Sequence, residues 1–373
     1  MLGKSFNFLT IRVVGVLAGY LFTYFITSRY GADIFGLVSL CFSIFLFAGI
    51  LGRLGTDINL VNRYADIEKM EDKGLFYKVV VNSFVVACLF ALVLYLTRDY
   101  YTLHVFRKPE LEPYIFWTVL AIPFWTLTLV CGGLLRARKK NEWFAFLNIP
   151  GRFILTLLVI PIVLLFLDDP IIVIQSHFFG IMILGIIALV RCIVLLERIT
   201  FKSHSSSWNF IRQSIPMMLS STILVVLGWM DTFVLGIYNP SQDIGIYNVA
   251  IKIAGVASFT FFAINSILAP KLAQLFQAQD IKGFRQLVQF SALVNGIASI
   301  LLISLILGFH DWLLRIFGEE FSAGDKALFI LCAGQLIMAL TGSVGVILQM
   351  TRNQVIYQNI MIITLVVNIA LNF

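Results

Sequence analysis

The sequence predicts an all-α polytopic membrane protein whose two helical bundles form a parallel repeat. The first observation is the composition: hydrophobic residues make up 60% of the 373 residues, charged residues 13%, and the mean hydropathy is +0.93. A water-soluble chain of this length could not bury so much apolar surface. The second observation is a series of long apolar stretches, and the third is a glycine pattern that occurs twice.

Apolar stretches follow one another along the whole chain, each with about the twenty residues that a helix needs to cross the hydrocarbon core. About eleven are predicted, roughly at 7–27, 34–52, 75–97, 113–135, 143–167, 171–197, 214–237, 244–269, 286–308, 327–349 and 355–373. Membrane β-barrels use short alternating segments instead. These continuously apolar runs therefore indicate helices, which satisfy their own backbone hydrogen bonds.

The basic residues predict how these spans are oriented. The first span begins close to Met1 and lacks a small-residue cleavage site, so it is read as an uncleaved helix and not as a signal peptide. With the amino terminus in the cytoplasm, the inner loops hold about seventeen of the 27 basic residues. The outer loops hold only Arg29, Arg98, Arg107, Lys108, Arg315 and Lys326. The net charge of +7 is thus mostly a topology signal, and no nucleic-acid partner is predicted.

The glycine pattern indicates an internal repeat. Gly36 and Gly245 are separated by 209 residues (245 minus 36), and Lys73-Gly74 recurs as Lys282-Gly283 at the same offset. About six spans fit in one period, so both copies should have the same orientation in the membrane, as in parallel-repeat transporters. Phe373 corresponds to residue 164 of the first copy. The sequence is therefore expected to be truncated, with twelve or more helices in the complete architecture.

The repeat also predicts the domain organisation. The first bundle covers residues 1–200 with six helices, a polar cytoplasmic linker covers 201–213, and the second bundle covers 214–373 with five helices present. Loops 53–74 and 270–285 each combine charges with apolar residues at helical spacing. An amphipathic helix in the membrane interface is predicted for each loop.

Charged residues inside apolar spans are costly, so they are the candidate functional residues. Arg152 lies roughly 14 Å deep, at 1.5 Å of helix rise per residue. It directly follows Pro150-Gly151, a pair that disturbs a helix. Arg12 and Arg191 lie nearer the predicted cytoplasmic ends of their spans, where a long side chain can reach the interface.

Two further charges lie at matching depth on consecutive spans. Asp231 precedes the short outer loop at 238–243 and Lys252 follows it, so the two side chains are predicted to form an ion pair. The pair could be structural, or it could couple transport to an ion. His177, near the outer end of its span, could titrate near neutral pH, although such histidines are more often satisfied contacts between helices.

Motifs of soluble enzymes are absent from the sequence. There is no phosphate-binding glycine loop, no HExxH and no serine-nucleophile elbow. The five cysteines lie within spans and show no CxxC spacing. Neither a catalytic residue nor a cofactor nor a metal is predicted.

Several segments resemble the polysaccharide transporter family, which contains the flippases of O-antigen and lipid-linked oligosaccharides. The main match is 229–236 followed by 243–252, which is similar to the family's segment joining helices seven and eight. Supporting matches are 30–36, Gly55-Thr56 with Arg63-Tyr64, and 317–321. The resemblance covers essentially the whole chain. It implies two six-helix bundles around a central cavity that opens alternately to each side of a bacterial inner membrane.

The resemblance further implies that undecaprenyl-pyrophosphate-linked oligosaccharide is the substrate, with a polysaccharide polymerase and glycosyltransferases as possible partners. Arg152 and Lys252 are predicted to face the diphosphate, because cationic side chains bind phosphate oxygens. Arg12 and Arg191 are predicted as entrance cations, and Asp231 as the partner of Lys252. Two alternatives stay open: a drug or small-solute exporter of the same superfamily, and an integral-membrane glycosyltransferase or polymerase.

Overall fold

The computed structural model describes residues 2–65 and 72–373, and within these residues the secondary structure is helical throughout, without strands. The chain packs as two compact units. The first unit contains residues 1–26 and 37–240, and the second contains residues 27–36 and 241–373. The all-α class predicted from the sequence is confirmed.

The first unit is built mainly from long apolar helices. Its helices are α1 (Leu2–Arg53), whose residues 27–36 belong to the second unit, α2 (Thr56–Tyr64), α3 (Lys73–Leu96), α4 (Arg98–Tyr100), α5 (Glu112–Ala137), α6 (Asn141–Asn148), α7 (Pro150–Leu164), α8 (Ile172–Leu196) and α9 (Ser207–Tyr238). A π-helical turn at Tyr101–Val105 and a 3-10 turn at Pro109–Leu111 precede α5.

The second unit has more numerous and shorter elements. They are α10 (Ser241–Gly255), α11 (Ser258–Gln277), α12 (Ile281–Gly308), α13 (His310–Arg315), α14 (Asp325–Thr341), α15 (Val344–Met350) and α16 (Gln354–Asn372), with a 3-10 segment at Glu319–Gly324. The span predicted at 244–269 is not one continuous helix, because α10 ends at Gly255 and α11 begins at Ser258. At this break the backbone forms tighter i to i−3 hydrogen bonds, and Ser258 donates its hydroxyl to the carbonyl of Gly255 at 2.7 Å.

By length and composition, seven helical segments of the described chain could cross a membrane, or nine if each of two bent helix pairs counts as one span. The first of these segments, at Thr10–Arg53, holds two predicted spans. They meet at Gly31, whose φ of 78° is in the left-handed region that favours glycine. The bent pairs are α6 with α7, at 55°, and the two parts of α9, at 57°.

The predicted amphipathic helix of the first loop is confirmed as α2. Asn59 donates its amide to the Ser214 hydroxyl at 2.9 Å, and Arg63 donates to the Ser205 hydroxyl at 3.2 Å. Ser203 donates to the carboxylate of Asp72 at 2.8 Å. The polar linker predicted at 201–213 therefore contacts α2 and Asp72 through hydrogen bonds of its serine side chains.

A buried lysine holds the end of α9 within the first unit. Lys108 is 8% exposed and donates its ammonium protons to the carbonyl oxygens of Gly236 and Asn239, both at 2.7 Å. These carbonyls lie at the carboxyl end of α9, where backbone acceptors lack partners within the helix. The first compact unit accordingly extends to Pro240. The sequence repeat instead predicted that α9 belongs to the second bundle, and this assignment stays a prediction.

The first pair of repeat glycines makes a reciprocal contact inside the second unit. A Cβ on Gly36 would overlap the carbonyl oxygen of Ser241, and a Cβ on Gly245 would overlap the carbonyl oxygen of Ala32. Ala32 and Ser241 differ by 209 positions (241 minus 32), the same offset that separates the two glycines. The two close contacts therefore join equivalent positions of the predicted repeat.

The carboxylate of Glu320 holds these segments together. It accepts a hydrogen bond from the backbone N–H of Ala32 at 2.6 Å and another from the amide of Gln242 at 3.3 Å. Ala32 begins the helical segment after the kink at Gly31, where backbone N–H groups lack partners within the helix. Three of the segments that carried the family resemblance, 30–36, 243–252 and 317–321, thus belong to one compact unit.

The second pair of repeat glycines does not share one role. A Cβ on Gly74 would overlap the carbonyl oxygen of Lys202, whereas a Cβ on Gly283 would meet the carboxylate of Asp280. Asp280 accepts a hydrogen bond from the backbone N–H of Gly283 at 2.9 Å and so caps α12. In the first copy, Asp72 caps α3 through the N–H of Leu75 at 3.2 Å.

Candidate functional site

The candidate site begins at the break between α6 and α7. Ile149 leaves helical geometry, with φ of −128° and ψ of −58°, and Pro150 then opens α7. Proline suits the first turn of a helix because its missing N–H would have no partner there. Gly151 is required as well, since a Cβ would lie 2.9 Å from the carbonyl oxygen of Phe146. The predicted disturbance at Pro150-Gly151 is confirmed, and it places Arg152 in the first turn of α7.

Three aromatic rings from three helices surround the guanidinium of Arg152. Its Cζ atom lies 4.4 Å from the ring centre of Phe153, 5.7 Å from that of Trp125 and 5.8 Å from that of Phe42. These distances allow cation–π attraction, worth about 0.5–2 kcal/mol for a ring. We call Arg152 and these three rings the arginine cage.

The arginine cage provides no negative charge. Within the described residues Arg152 forms no ion pair, and its buried Nε atom has no hydrogen-bond partner. An uncompensated cation inside a membrane-crossing segment costs several kcal/mol, about 3 kcal/mol on insertion scales.

His177 lies beside the arginine cage on α8 and is 2% exposed. Its ring centre is 4.6 Å from that of Phe42 and 5.5 Å from that of Phe45. Its Nδ1 atom is 3.3 Å from the hydroxyl oxygen of Thr156, while Nε2 is buried without a hydrogen-bond partner among the described residues. The expectation that His177 is a satisfied helix contact is therefore correct for one ring nitrogen only.

The other predicted site residues lie elsewhere. Arg191 lies on α8 with its Cζ atom 4.2 Å from the ring centre of Trp143, and Arg12 is exposed on α1. Asp231 is partly exposed on α9 in the first unit. Lys252 lies on α10 in the second unit, with its Nζ atom 6.0 Å from the ring centre of Phe35. The Asp231–Lys252 ion pair stays a prediction.

No group of three histidine, cysteine, aspartate or glutamate side chains that could hold a metal ion occurs in the described part of the chain. The cysteines Cys41, Cys88, Cys131, Cys192 and Cys332 are all unpaired by disulfides there. The chemistry of the site is thus that of a cation, an imidazole and aromatic rings. Such a set can bind and orient an anion.

Comparison with sequence families gives two matches. The family described as "Polysaccharide biosynthesis protein" matches residues 2–276, and the family described as "MatE" matches residues 216–373. Among curated proteins, the chain is similar to the probable low-salt glycan biosynthesis flippase Agl15 of Haloferax volcanii, with 24% identity over 178 residues. That match covers 48% of this chain and 37% of the length of that protein.

Solved structures share the fold. An inward-facing structure of a multidrug resistance MATE family transporter of the MOP superfamily has a TM-score of 0.72 at 13% identity, covering 97% of this chain and 88% of that chain. An outward-facing structure of such a transporter has a TM-score of 0.68 at 14% identity, covering 97% and 84%. The chain therefore has the helical fold of MATE transporters.

Proposed function

The chain belongs to the polysaccharide biosynthesis protein family, within the superfamily of multidrug, oligosaccharidyl-lipid and polysaccharide exporters, and on this premise we propose that it is a flippase. The proposed substrate is an undecaprenyl-pyrophosphate-linked oligosaccharide, the repeat unit of an O-antigen or a capsule. The proposed mechanism is alternating access across a bacterial inner membrane, with the amino terminus in the cytoplasm. As a flippase the protein breaks and forms no covalent bond.

One observation carries this proposal: Arg152 lies in a membrane-crossing pair of helices without an ion pair among the described residues. A diphosphate supplies the negative charge that the arginine cage lacks. The planar guanidinium can donate two parallel hydrogen bonds to phosphate oxygens. Its position beside a helix break also supports the proposal, because transporters form their substrate sites at discontinuous helices.

The other cations are proposed to bind the diphosphate or to attract it to the site. Lys252 is the proposed second diphosphate ligand, and it too lies beside a helix break, three residues before α10 ends at Gly255. Asp231 is proposed to pair with Lys252 in at least one state of the transport cycle. Arg12 and Arg191 are proposed to attract the diphosphate at the cytoplasmic entrance. A polysaccharide polymerase and glycosyltransferases are the proposed partners, since they consume and supply such a substrate.

A second candidate function follows from the two structural neighbours, which are multidrug resistance transporters of the MATE family. A drug exporter would use the same fold and the same alternating motion. The charge of Arg152 argues against this candidate for cationic drugs, because a guanidinium without a counter-charge repels them. The two candidates therefore differ in the sign of the charge that the cage should bind.

The test is translocation by the full chain in liposomes. A fluorescent undecaprenyl-pyrophosphoryl oligosaccharide would be placed in one leaflet, and its arrival in the other would be followed by quenching. We expect the wild type to move this lipid and Arg152→Gln to lose at least about nine tenths of the rate, since it lacks the charge that the diphosphate needs.

Arg98→Gln serves as the matched control, because Arg98 lies outside the membrane-crossing segments and pairs with the exposed carboxylate of Glu112 at 3.0 Å. It should transport at the wild-type rate. Movement of a cationic dye but not of the lipid-linked oligosaccharide would support the drug-exporter candidate instead. Wild-type rates in Arg152→Gln would refute the role of the arginine cage.

A further inference from the structure

The hydroxyl of Thr156 determines which nitrogen of His177 carries a proton. A threonine hydroxyl has one proton to donate. Thr156 donates it to the backbone carbonyl of Arg152, at 2.7 Å. Its contact with Nδ1 of His177, at 3.3 Å, can then be a hydrogen bond only if Nδ1 is the donor. In the neutral imidazole Nδ1 therefore carries the proton, and Nε2 carries a lone pair.

This tautomer leaves His177 unable to bind an anion in its neutral form. A lone pair on Nε2 repels a phosphate oxygen, which can only accept hydrogen bonds. Nε2 is nevertheless buried without a partner in the described part of the chain, as is Nε of Arg152. Unsatisfied buried polar atoms are uncommon and call for an explanation. A ligand that both nitrogens contact would satisfy them.

The charges around His177 show when it can be protonated. The groups that face it are Phe22, Phe42 and Phe45 of α1, and Thr156 and Arg152 of α7. Of these, Arg152 alone is charged, and its field acts on the imidazole. A second positive charge beside Arg152 is unfavourable by itself. A diphosphate diester, with a negative charge on each phosphate, would offset both cations.

We propose that His177 takes up a proton from water when a diphosphate binds at Arg152, and then donates a hydrogen bond from Nε2 to the bound diphosphate. The site would thus bind one anion and one proton together. This inference rests on the proposed function, and it adds a second ligand to the same site. Because linkage is reciprocal, loss of the proton on the other side of the membrane would weaken diphosphate binding and promote release.

Calorimetry on the purified full chain tests the inference. The probe is geranyl-pyrophosphoryl-N-acetylglucosamine, a diester that has no group titrating near neutral pH. Titrations in buffers with different ionisation enthalpies report how many protons are taken up with each probe molecule. We expect about one proton in the wild type, with a Kd that rises about tenfold for each unit of pH increase above neutrality.

Two variants separate the role of His177 from that of Arg152. His177→Gln should still bind the probe through Arg152, about tenfold more weakly near neutral pH, with proton uptake near zero. Thr156→Val removes the acceptor that fixes the proton on Nδ1, so neutral His177 can donate from Nε2. We expect this variant to bind the probe with clearly fewer than one proton. Thr156 would thereby act as a positioning residue.

Matched controls exist for both variants. Thr128→Val removes another buried hydroxyl that donates to a carbonyl four residues earlier, at 2.9 Å, and His310→Gln changes a histidine of the second unit. Both should keep one proton per probe. If His177→Gln fails to fold, the proton uptake of Thr156→Val alone tests the role of His177.

The possible failures are distinguishable. Probe binding without proton uptake in the wild type, or unchanged uptake in both Thr156→Val and a folded His177→Gln, would overturn the role of His177 and leave the proposed function intact. Absence of probe binding to the wild type, or binding that Arg152→Gln leaves unchanged, would overturn the arginine cage as an anion site and this inference with it.

Discussion

Arg53 and Arg152 are two arginines of the first unit that differ in the residue four positions later in the sequence. Arg53 ends α1, and its Nη1 atom is 2.9 Å from the carboxylate of Asp57, four residues later. Four residues after Arg152 stands Thr156, whose hydroxyl cannot supply a charge. Arg53 therefore has a carboxylate partner, whereas Arg152 forms no ion pair among the described residues.

The Arg53–Asp57 pair is a structural feature of the turn between α1 and α2. Both side chains are mostly buried, at 11% and 16% exposed. Burial raises the pKa of the Asp57 carboxyl, and the charge of Arg53 opposes that rise. Burial alone thus does not mark an arginine as functional. The proposed role of Arg152 rests instead on the lack of an ion pair among the described residues.

The largest effect on stability is expected at Arg53. Arg53→Ala leaves the buried carboxylate of Asp57 without its partner and should cost about 3 kcal/mol of unfolding free energy. Arg152→Met removes a cation that forms no ion pair in the described part of the chain, so it should leave the unfolding free energy unchanged or higher. Thermal unfolding of the purified variants in one detergent would measure both.

The double variant Arg53→Met with Asp57→Leu is the control for this prediction. It removes both charges together and should recover most of the loss, since apolar residues often replace a buried pair at little cost. If Arg152→Met destabilises the protein as much as Arg53→Ala does, then Arg152 stabilises the fold as Arg53 does, and the proposed difference between the two arginines is wrong.

A carboxylate introduced four residues after Arg152 should make this arginine resemble the paired Arg53. Thr156→Asp places a carboxylate four residues after Arg152, as Asp57 follows Arg53, and the new ion pair should occupy the guanidinium. We expect binding of geranyl-pyrophosphoryl-N-acetylglucosamine to weaken about 100-fold, or about 2.7 kcal/mol. Thr156→Asn has the same shape without the charge and should retain more of the binding. Equal losses of probe binding in the two variants would show that the shape of the side chain at position 156, and not its charge, controls binding.

Parts of this picture could be predicted from the sequence because they depend on local chemistry or on the repeat. Pro150-Gly151 predicted the helix break, and the apolar spacing in loop 53–74 predicted α2. The offset between Gly36 and Gly245 predicted equivalent positions, which the reciprocal backbone contacts support. The superposition of residues 1–197 on 214–373 that this offset implies stays a prediction.

The arginine cage could not be predicted in the same way. Its rings come from α1, α5 and α7, and nothing distinguishes Phe42 among the 34 phenylalanines of the chain before the helices are packed. The contact between Thr156 and His177 joins two helices and has no sequence signal either. The contact of Lys108 with the end of α9 could not be predicted either, because its acceptors are about 130 residues away in the sequence. A basic residue in an outer loop predicts only topology.

The rings of the cage should contribute less than the charge they surround. Phe153 is the nearest ring to Arg152, and Phe153→Leu keeps an apolar side chain while removing the π face. We expect it to cost about 1 kcal/mol more unfolding free energy in the wild type than in the Arg152→Met background. The packing loss is common to both backgrounds, so the difference isolates the cation–π term. Equal costs in both backgrounds would mean that Phe153 only fills space.

The smallest effect is expected at Arg191, which has a ring partner but lies near the predicted entrance. Its Cζ atom is 4.2 Å from the ring centre of Trp143, so Arg191→Lys keeps the charge and part of the ring contact. Attraction of the diphosphate at an entrance depends on charge more than on geometry, so the initial translocation rate should fall less than about twofold. Arg152→Lys should lower the same rate at least about tenfold, because an ammonium cannot reproduce the two parallel hydrogen bonds of a guanidinium. Similar losses in the two variants, measured in the same liposomes, would place Arg191 in direct contact with the diphosphate and remove the distinction between an entrance cation and a binding cation.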